Sequence, residues 1–145
     1  MKEEIVLFET AKLAAKKGFP QIVSEIDSSI YGMSWYNKKG VLCGRTDLGP
    51  NGKDYGFYPT KEQINSMVIG SYLAPTQSLL QKWLRDKHKI VIQVVSTLNR
   101  GWTIEVFSGI APNKQMIEYV SSKIFPSYEK ALETGLQEGL KLIKL

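Results

Sequence analysis

Cys43 and His88 are the only cysteine and the only histidine in the 145-residue chain. Any thiol–imidazole chemistry must therefore use this pair. A nucleophilic cysteine is activated by a base or a helix N-terminus. Cys43 instead sits between Leu42 and Gly44 in a β-prone stretch, and His88 near the end of a helical one. A structural cysteine and a helix-capping histidine are the expected roles. One His and one Cys cannot supply a zinc tetrad. Asp47, Asn51 and Asp54 could touch calcium, but the EF-hand pattern and its closing Glu are missing, and turn formation explains them. Gly49-Pro50-Asn51-Gly52-Lys53 lacks the strand-to-helix frame of a phosphate loop. Glu105 could serve one half of an acid–base pair, although the solvent face of a strand is its expected place. Neither an enzyme of the thiol, serine-triad or zinc type nor a metal or cofactor is expected.

Binding chemistry has more support. Trp35, Tyr36, Lys38, Lys39 and Arg45 put rings and cations together on one predicted hairpin, a mixture that suits stacked single strands. Lys82, Arg85 and Lys89 share one helix face and could reach phosphates. The net charge is +5, and its largest excess lies in residues 74–108, with five basic against two acidic groups. There is no basic run and no RRM, KH or zinc-finger signature. A solvated helix face and rings packed in the core are the plainer readings of the same residues. Tyr31, Trp35, Tyr36, Tyr55, Phe57, Tyr58 and Tyr72 crowd seven rings into 42 residues. A hairpin and a loop hide so many with difficulty, and aromatic side chains anchor protein interfaces.

The elements that must carry these residues follow from periodicity. Leu7, Ala11, Ala14 and Ala15 predict a helix from about Glu4 to Lys17, stopped by Gly18 and Pro20. Ile30–Tyr36 and Val41–Thr46 flank Asn37-Lys38-Lys39-Gly40 as a hairpin. Asp47–Thr60 reads as a long Gly- and Pro-rich loop whose Tyr55, Phe57 and Tyr58 should border a concave surface. Ile64, Met67 and Val68 make a weak helical stripe over Lys61–Tyr72. Pro75–His88 is a helix with Pro75 at its first position and Leu79, Leu80, Trp83 and Leu84 as its apolar stripe. Ile90–Thr97 and Trp102–Ser108 form a second hairpin. Residues 109–125 fit a helix or a strand equally. A last helix runs from a Ser127 N-cap to about Lys144. Its row Ala131, Gly135 and Gly139 implies close backbone approach, because each mid-helix Gly costs about 1 kcal/mol against Ala.

Length and composition (43% hydrophobic, 23% charged) fit one globular domain and exclude a disordered, collagenous or coiled-coil chain. No apolar run is long enough to span a membrane. The Met-Lys-Glu-Glu start has no signal-peptide core, so a cytoplasmic protein with no membrane partner is expected. The expected class is α+β, with two β-hairpins joined in one antiparallel sheet and three or more helices over it.

Three stretches also look familiar together. They are Phe8-Glu9-Thr10-Ala11-Lys12-Leu13-Ala14 through Phe19, Ala74-Pro75-Thr76-Gln77-Ser78-Leu79-Leu80-Gln81-Lys82-Trp83-Leu84-Arg85 with His88, and Tyr128-Glu129-Lys130-Ala131-Leu132-Glu133 onward. The pattern resembles small uncharacterised proteins carried by phages, prophages and mobile elements of gut-type bacteria. The resemblance implies a bacterial or phage cytoplasmic protein and brings no activity and no site residues. The expectation is then a non-catalytic protein-interaction module whose partner is a host protein, a phage protein or a second copy. The alternative is a nucleic-acid-binding protein. The candidate binding residues are Trp35, Tyr36, Lys38, Lys39, Arg45, Tyr55, Tyr58, Lys82, Arg85 and Lys89.

Overall fold

The computed structural model describes residues 4–21, 34–43, 72–109 and 116–144. The chain divides into two compact units, Ile5–Pro75 and a second made of Met1–Glu4 with Thr76–Leu145.

The first unit opens with helix α1 (Phe8–Lys16). It begins at Phe8 rather than Glu4 because the preceding backbone is spent elsewhere: Val6 N–H donates to Pro75 O at 3.0 Å. Its C-terminus closes as the Gly18-Phe19 pair implies. Gly18 takes φ +96°, and the N–H groups of Gly18 and Phe19 return to Ala15 O and Ala14 O, satisfying two end carbonyls. Strands β1 (Ser34–Tyr36), β2 (Leu42–Cys43) and β3 (Tyr72–Ala74) form an antiparallel sheet in the order β2-β1-β3. Trp35 lies opposite Cys43 on one side and Leu73 on the other. The turn between β1 and β2 is held by Asn37, whose Oδ1 accepts from Lys39 N and Val41 N at 2.9 and 3.0 Å. This is the local hydrogen bonding that makes Asn a turn residue.

The second unit starts with helix α2 (Gln77–His88). Thr76, not the residue before Pro75, is its N-cap: the side chain accepts from Leu79 N, so the helix starts two residues later than Pro75 predicts. Leu80 and Leu84 are fully buried; Leu79 and Trp83 are only partly so. Strands β4 (Ile90–Ser96), β5 (Trp102–Ser108) and β6 (Met116–Val120) follow, antiparallel and in the order β4-β5-β6. The stretch that fitted helix or strand equally is thus β6, with a bulge where Val106 gives way to Phe107 in the register. Helix α3 (Tyr128–Lys141) starts at the Ser127 cap, which accepts from Lys130 N. It packs on β4, β5 and α2, and α2 packs on β4. One face of the sheet, carrying Ile90, Ile92, Ile104 and Val106, is thereby buried.

The mixed α+β class is what the structure has. The single sheet is a correction: among the described residues the strands form two three-stranded sheets. Each expected pair met a third strand of its own rather than the other pair. Tyr72–Ala74, of which only Tyr72 belongs to the stretch read as helical, takes the free edge of β1, and Met116–Val120 takes that of β5. Helix α1 belongs with β3, while α2 and α3 cover the β4-β5-β6 sheet. The predicted loop at 47–60 and helical stripe at 61–71 lie outside the described residues. Among those described, no helix is long and apolar enough to cross a membrane.

Candidate functional site

The sequence-derived binding residues fall into two groups. In the first unit Tyr36 is buried: its hydroxyl donates to Val6 O at 2.7 Å and its ring meets Phe8 edge-on at 5.4 Å. This ring is occupied by the core and corrects the stacking role expected of it. Trp35 is partly buried, and Lys38 and Lys39 are exposed in the turn. Arg45, Tyr55 and Tyr58 lie outside the described residues, as does the side chain of Cys43. In the second unit Lys82 and Arg85 are exposed on α2, and Lys89 is exposed just beyond it as the left-handed C-cap, so it leaves the helix face expected of all three. Two of them are engaged locally with Asp86. Arg85 Nε donates to its Oδ1 at 3.2 Å, and Lys89 Nζ donates to its carbonyl at 3.0 Å. Exposed pairs of this kind are worth little and break readily for a better partner.

Sequence reasoning passed over two features of the second unit. The first is the outer strand. Met116 and Ile117 are 65% and 61% exposed, Val120 55% and nearby Ile124 44%. A β-strand of three aliphatic residues in five that shows most of them to water is unusual, since burial of such side chains is the main stabilising term in folding. The ladder explains the exposure. β6 pairs with β5 alone among the described strands, and α3 reaches β4 and β5. Only Tyr119, opposite Val106 and packed with Ile104 and Phe125, turns inward.

The second is a cavity of about 470 Å³ lined by His88, Ile90, Ser108, Glu118, Leu142, Ile143 and Lys144. The register builds it. Ile90 and Ser108 are paired at the end of the β4–β5 ladder, and Glu118 is the residue the bulge adds between Ile117 and Tyr119. Ser108 Oγ donates to Glu118 Oε1 at 2.5 Å. Both helices of the unit end here: His88 is the last residue of α2 and Leu142 the C-cap of α3. The imidazole packs against Trp83 at 4.5 Å and 69°. Its Nε2 is buried and, among the described residues, has no hydrogen-bond partner. Burial, helped by the neighbouring Lys87 charge, lowers the His88 pKa below its ordinary value, against the helix-end field that would favour a cation. Ser108 is committed to Glu118 rather than to His88, so the three residues do not have the order in which an imidazole activates a hydroxyl. Periodicity could not reveal this cluster, because Glu118 lies in the stretch that fitted two structures and its bulge has no sequence signature. Among the described residues no group of three or more His, Cys, Asp or Glu is placed to hold a metal.

Comparison with protein-family models, curated proteins and solved structures gives no match. The phage-type resemblance stays an expectation, and the functional argument rests on the surfaces above.

Proposed function

We propose that this protein is a non-catalytic interaction module that takes an extended segment of a partner protein onto the edge of β6 that has no strand neighbour among the described residues. The observation that carries the reading is the exposure of Ile117 and Val120, which lie on one face of that strand opposite Phe107 and Glu105, with Met116 exposed beside them. An added strand would pair with the backbone groups of that edge, and its alternate side chains would cover the aliphatic ones. The phage or mobile-element setting is part of this proposal and makes a host or phage protein the partner. Panning a library of extended peptides against the full chain tests it. Selected binders should lose affinity for Val120→Lys, a change at an exposed position that leaves the thermal melt in place. Binders indifferent to Val120→Lys and Ile117→Lys would refute the edge as the docking strand.

Nucleic-acid binding is the second reading, favoured by the exposure of Lys82 and Arg85 on α2 and of Lys89 at its left-handed C-cap. Phosphate contacts release counterions, so affinity would fall steeply between about 50 and 200 mM salt. Oligonucleotide titration at both concentrations separates the readings, because contacts between aliphatic side chains respond weakly to salt. No binding at low salt removes the second reading.

A further inference from the structure

We propose that the cavity between the ends of α2 and α3 is a binding site for a small organic cation, a primary ammonium carried on a short aliphatic body. The cavity volume of about 470 Å³ lies within the range of small-molecule sites. The argument is a count of donors and acceptors. Glu118, exposed at the cavity mouth, brings a carboxylate whose Oε2 has no hydrogen bond among the described residues, and Ser108, which donates its O–H to Oε1, keeps its oxygen lone pairs as acceptors. The two helices present their negative ends to the same space. Ile90, Leu142 and Ile143 supply an apolar wall beside these groups. Such a lining is rich in acceptors and negative potential, and it matches a ligand with N–H donors, a positive charge and a few methylene groups.

The one cation among the lining side chains strengthens the match. Lys144 is exposed, three residues beyond the end of α3, so its ammonium is a tethered example of the ligand chemistry at the rim. It would compete with a free amine and repel it. The proposal therefore predicts effects of opposite sign for two residues of one cavity: removing Glu118's charge weakens binding, and removing Lys144's strengthens it. An anion site would show the reverse for both, and a nonspecific apolar pocket would show neither.

The experiment is amide-shift titration of the full chain with n-butylamine, and with butyrate and butanol as anionic and neutral matches of similar size. n-Butylamine should shift the amides of Ser108, Glu118 and Leu142 and saturate, with butyrate and butanol much weaker. Glu118→Gln should weaken amine binding about tenfold, since a charge-assisted hydrogen bond is lost. Lys144→Met, exposed and outside any helix or strand, should tighten it by about twofold or more. Should Glu118→Gln disturb the bulge, Ser108→Ala and the wild-type shift map carry the same decision. Saturation by butyrate in preference to the amine, equal shifts with all three compounds, or tighter amine binding in Glu118→Gln would each overturn the proposal. Val120→Lys should leave amine binding unchanged, so a failure here is distinct from a failure of the docking strand.

Discussion

The β4-β5-β6 sheet has a closed side and an open edge, and the two obey different rules. On the closed side α3 comes so near the sheet that a side chain is excluded at Gly135 and tight at Gly139. A Cβ on Gly135 would lie 2.6 Å from Ile92 Cγ2, while one on Gly139 would lie 3.2 Å from Ile90 Cγ2. Leu84, Leu136 and Leu140 are fully buried beside them. At the edge, Ile117 and Val120 are of the same hydrophobic kind yet stand mostly in water. Residue type alone does not separate the two regions; the number of elements layered over each does. The closed side is where stability is decided, and the edge is free to be decided by something else.

The largest expected effect breaks the closed side. Leu136→Ala or Leu84→Ala removes a fully buried side chain and should cost about 2–5 kcal/mol, transfer and cavity terms together. At about 2–4 °C per kcal/mol for a chain of this size, the shift is easily read in a thermal melt. Ile117→Ala at the edge should change stability by about 0.5 kcal/mol or less. Equal costs at Leu136 and Ile117 would mean that β6 is as covered as the helix face.

A finer test lies within the glycine row. Adding a methyl gains about 1 kcal/mol of helix propensity at either position. At Gly135 the methyl meets Ile92 Cγ2, a branch fixed close to the strand backbone, and overpacking of this kind costs about 1–3 kcal/mol. At Gly139 the contacts, 3.2 to 3.4 Å to Ile90, Ile92 and Leu84, need a shift of only a few tenths of an ångström. Gly135→Ala should therefore lower stability, and Gly139→Ala should leave it near the wild-type value. Chemical denaturation with equal m-values would show the difference directly.

This row also shows what the sequence made legible. Two glycines four residues apart inside a strong helical pattern cost too much to be accidental, and they sit where α3 touches the sheet. The Ser127 cap and the Gly18-Phe19 stop were legible for the same reason: each is a local preference that nothing in the tertiary structure opposes. Long-range pairing left weaker traces. Tyr72–Ala74 became a strand because β1 had an open edge, not because three residues demand it. Thr76 displaced Pro75 from the helix start because its hydroxyl could bond Leu79 N. Tyr36 looked like a stacking ring and is held by the core, through a bond to Val6 that spans thirty positions of sequence. The cavity was least legible of all, since it needs a bulge, the end of a ladder and two helix ends to coincide.

At the edge itself, Val120→Lys sharpens the comparison by separating stability from binding. Val120 is 55% exposed and lies opposite Glu105 across the strand pair, so a lysine there gains a cross-strand partner of opposite charge, worth about 0.2–1 kcal/mol. The melt should stay within about 1 kcal/mol of wild type or rise slightly, while peptide binding at the edge is lost. A large loss of stability would place Val120 in the core and remove the edge from consideration.

The smallest effect concerns the boundary between the two regions, where His88 closes α2. It is the only histidine, so between about pH 7.5 and 5.5 it is the one side chain of ordinary pKa that titrates. Its folded-state pKa is lowered by burial and by Lys87; Trp83 packs edge-on against its ring, and Glu118 and Lys144 share the cavity with it. Because the folded pKa lies below the unfolded one, the unfolded chain binds more protons in the interval between them. Stability is then complete above about 6.5 and falls as pH drops through the folded value. His88→Phe keeps a ring against Trp83, removes the unpartnered Nε2 and cannot titrate. Wild type should lose stability modestly from pH 7.5 to 5.5, and His88→Phe should show a flat profile over the same interval. A wild-type profile that rises toward acid would mean that Glu118 and the helix end outweigh desolvation and hold the imidazolium, reversing the sign of the shift.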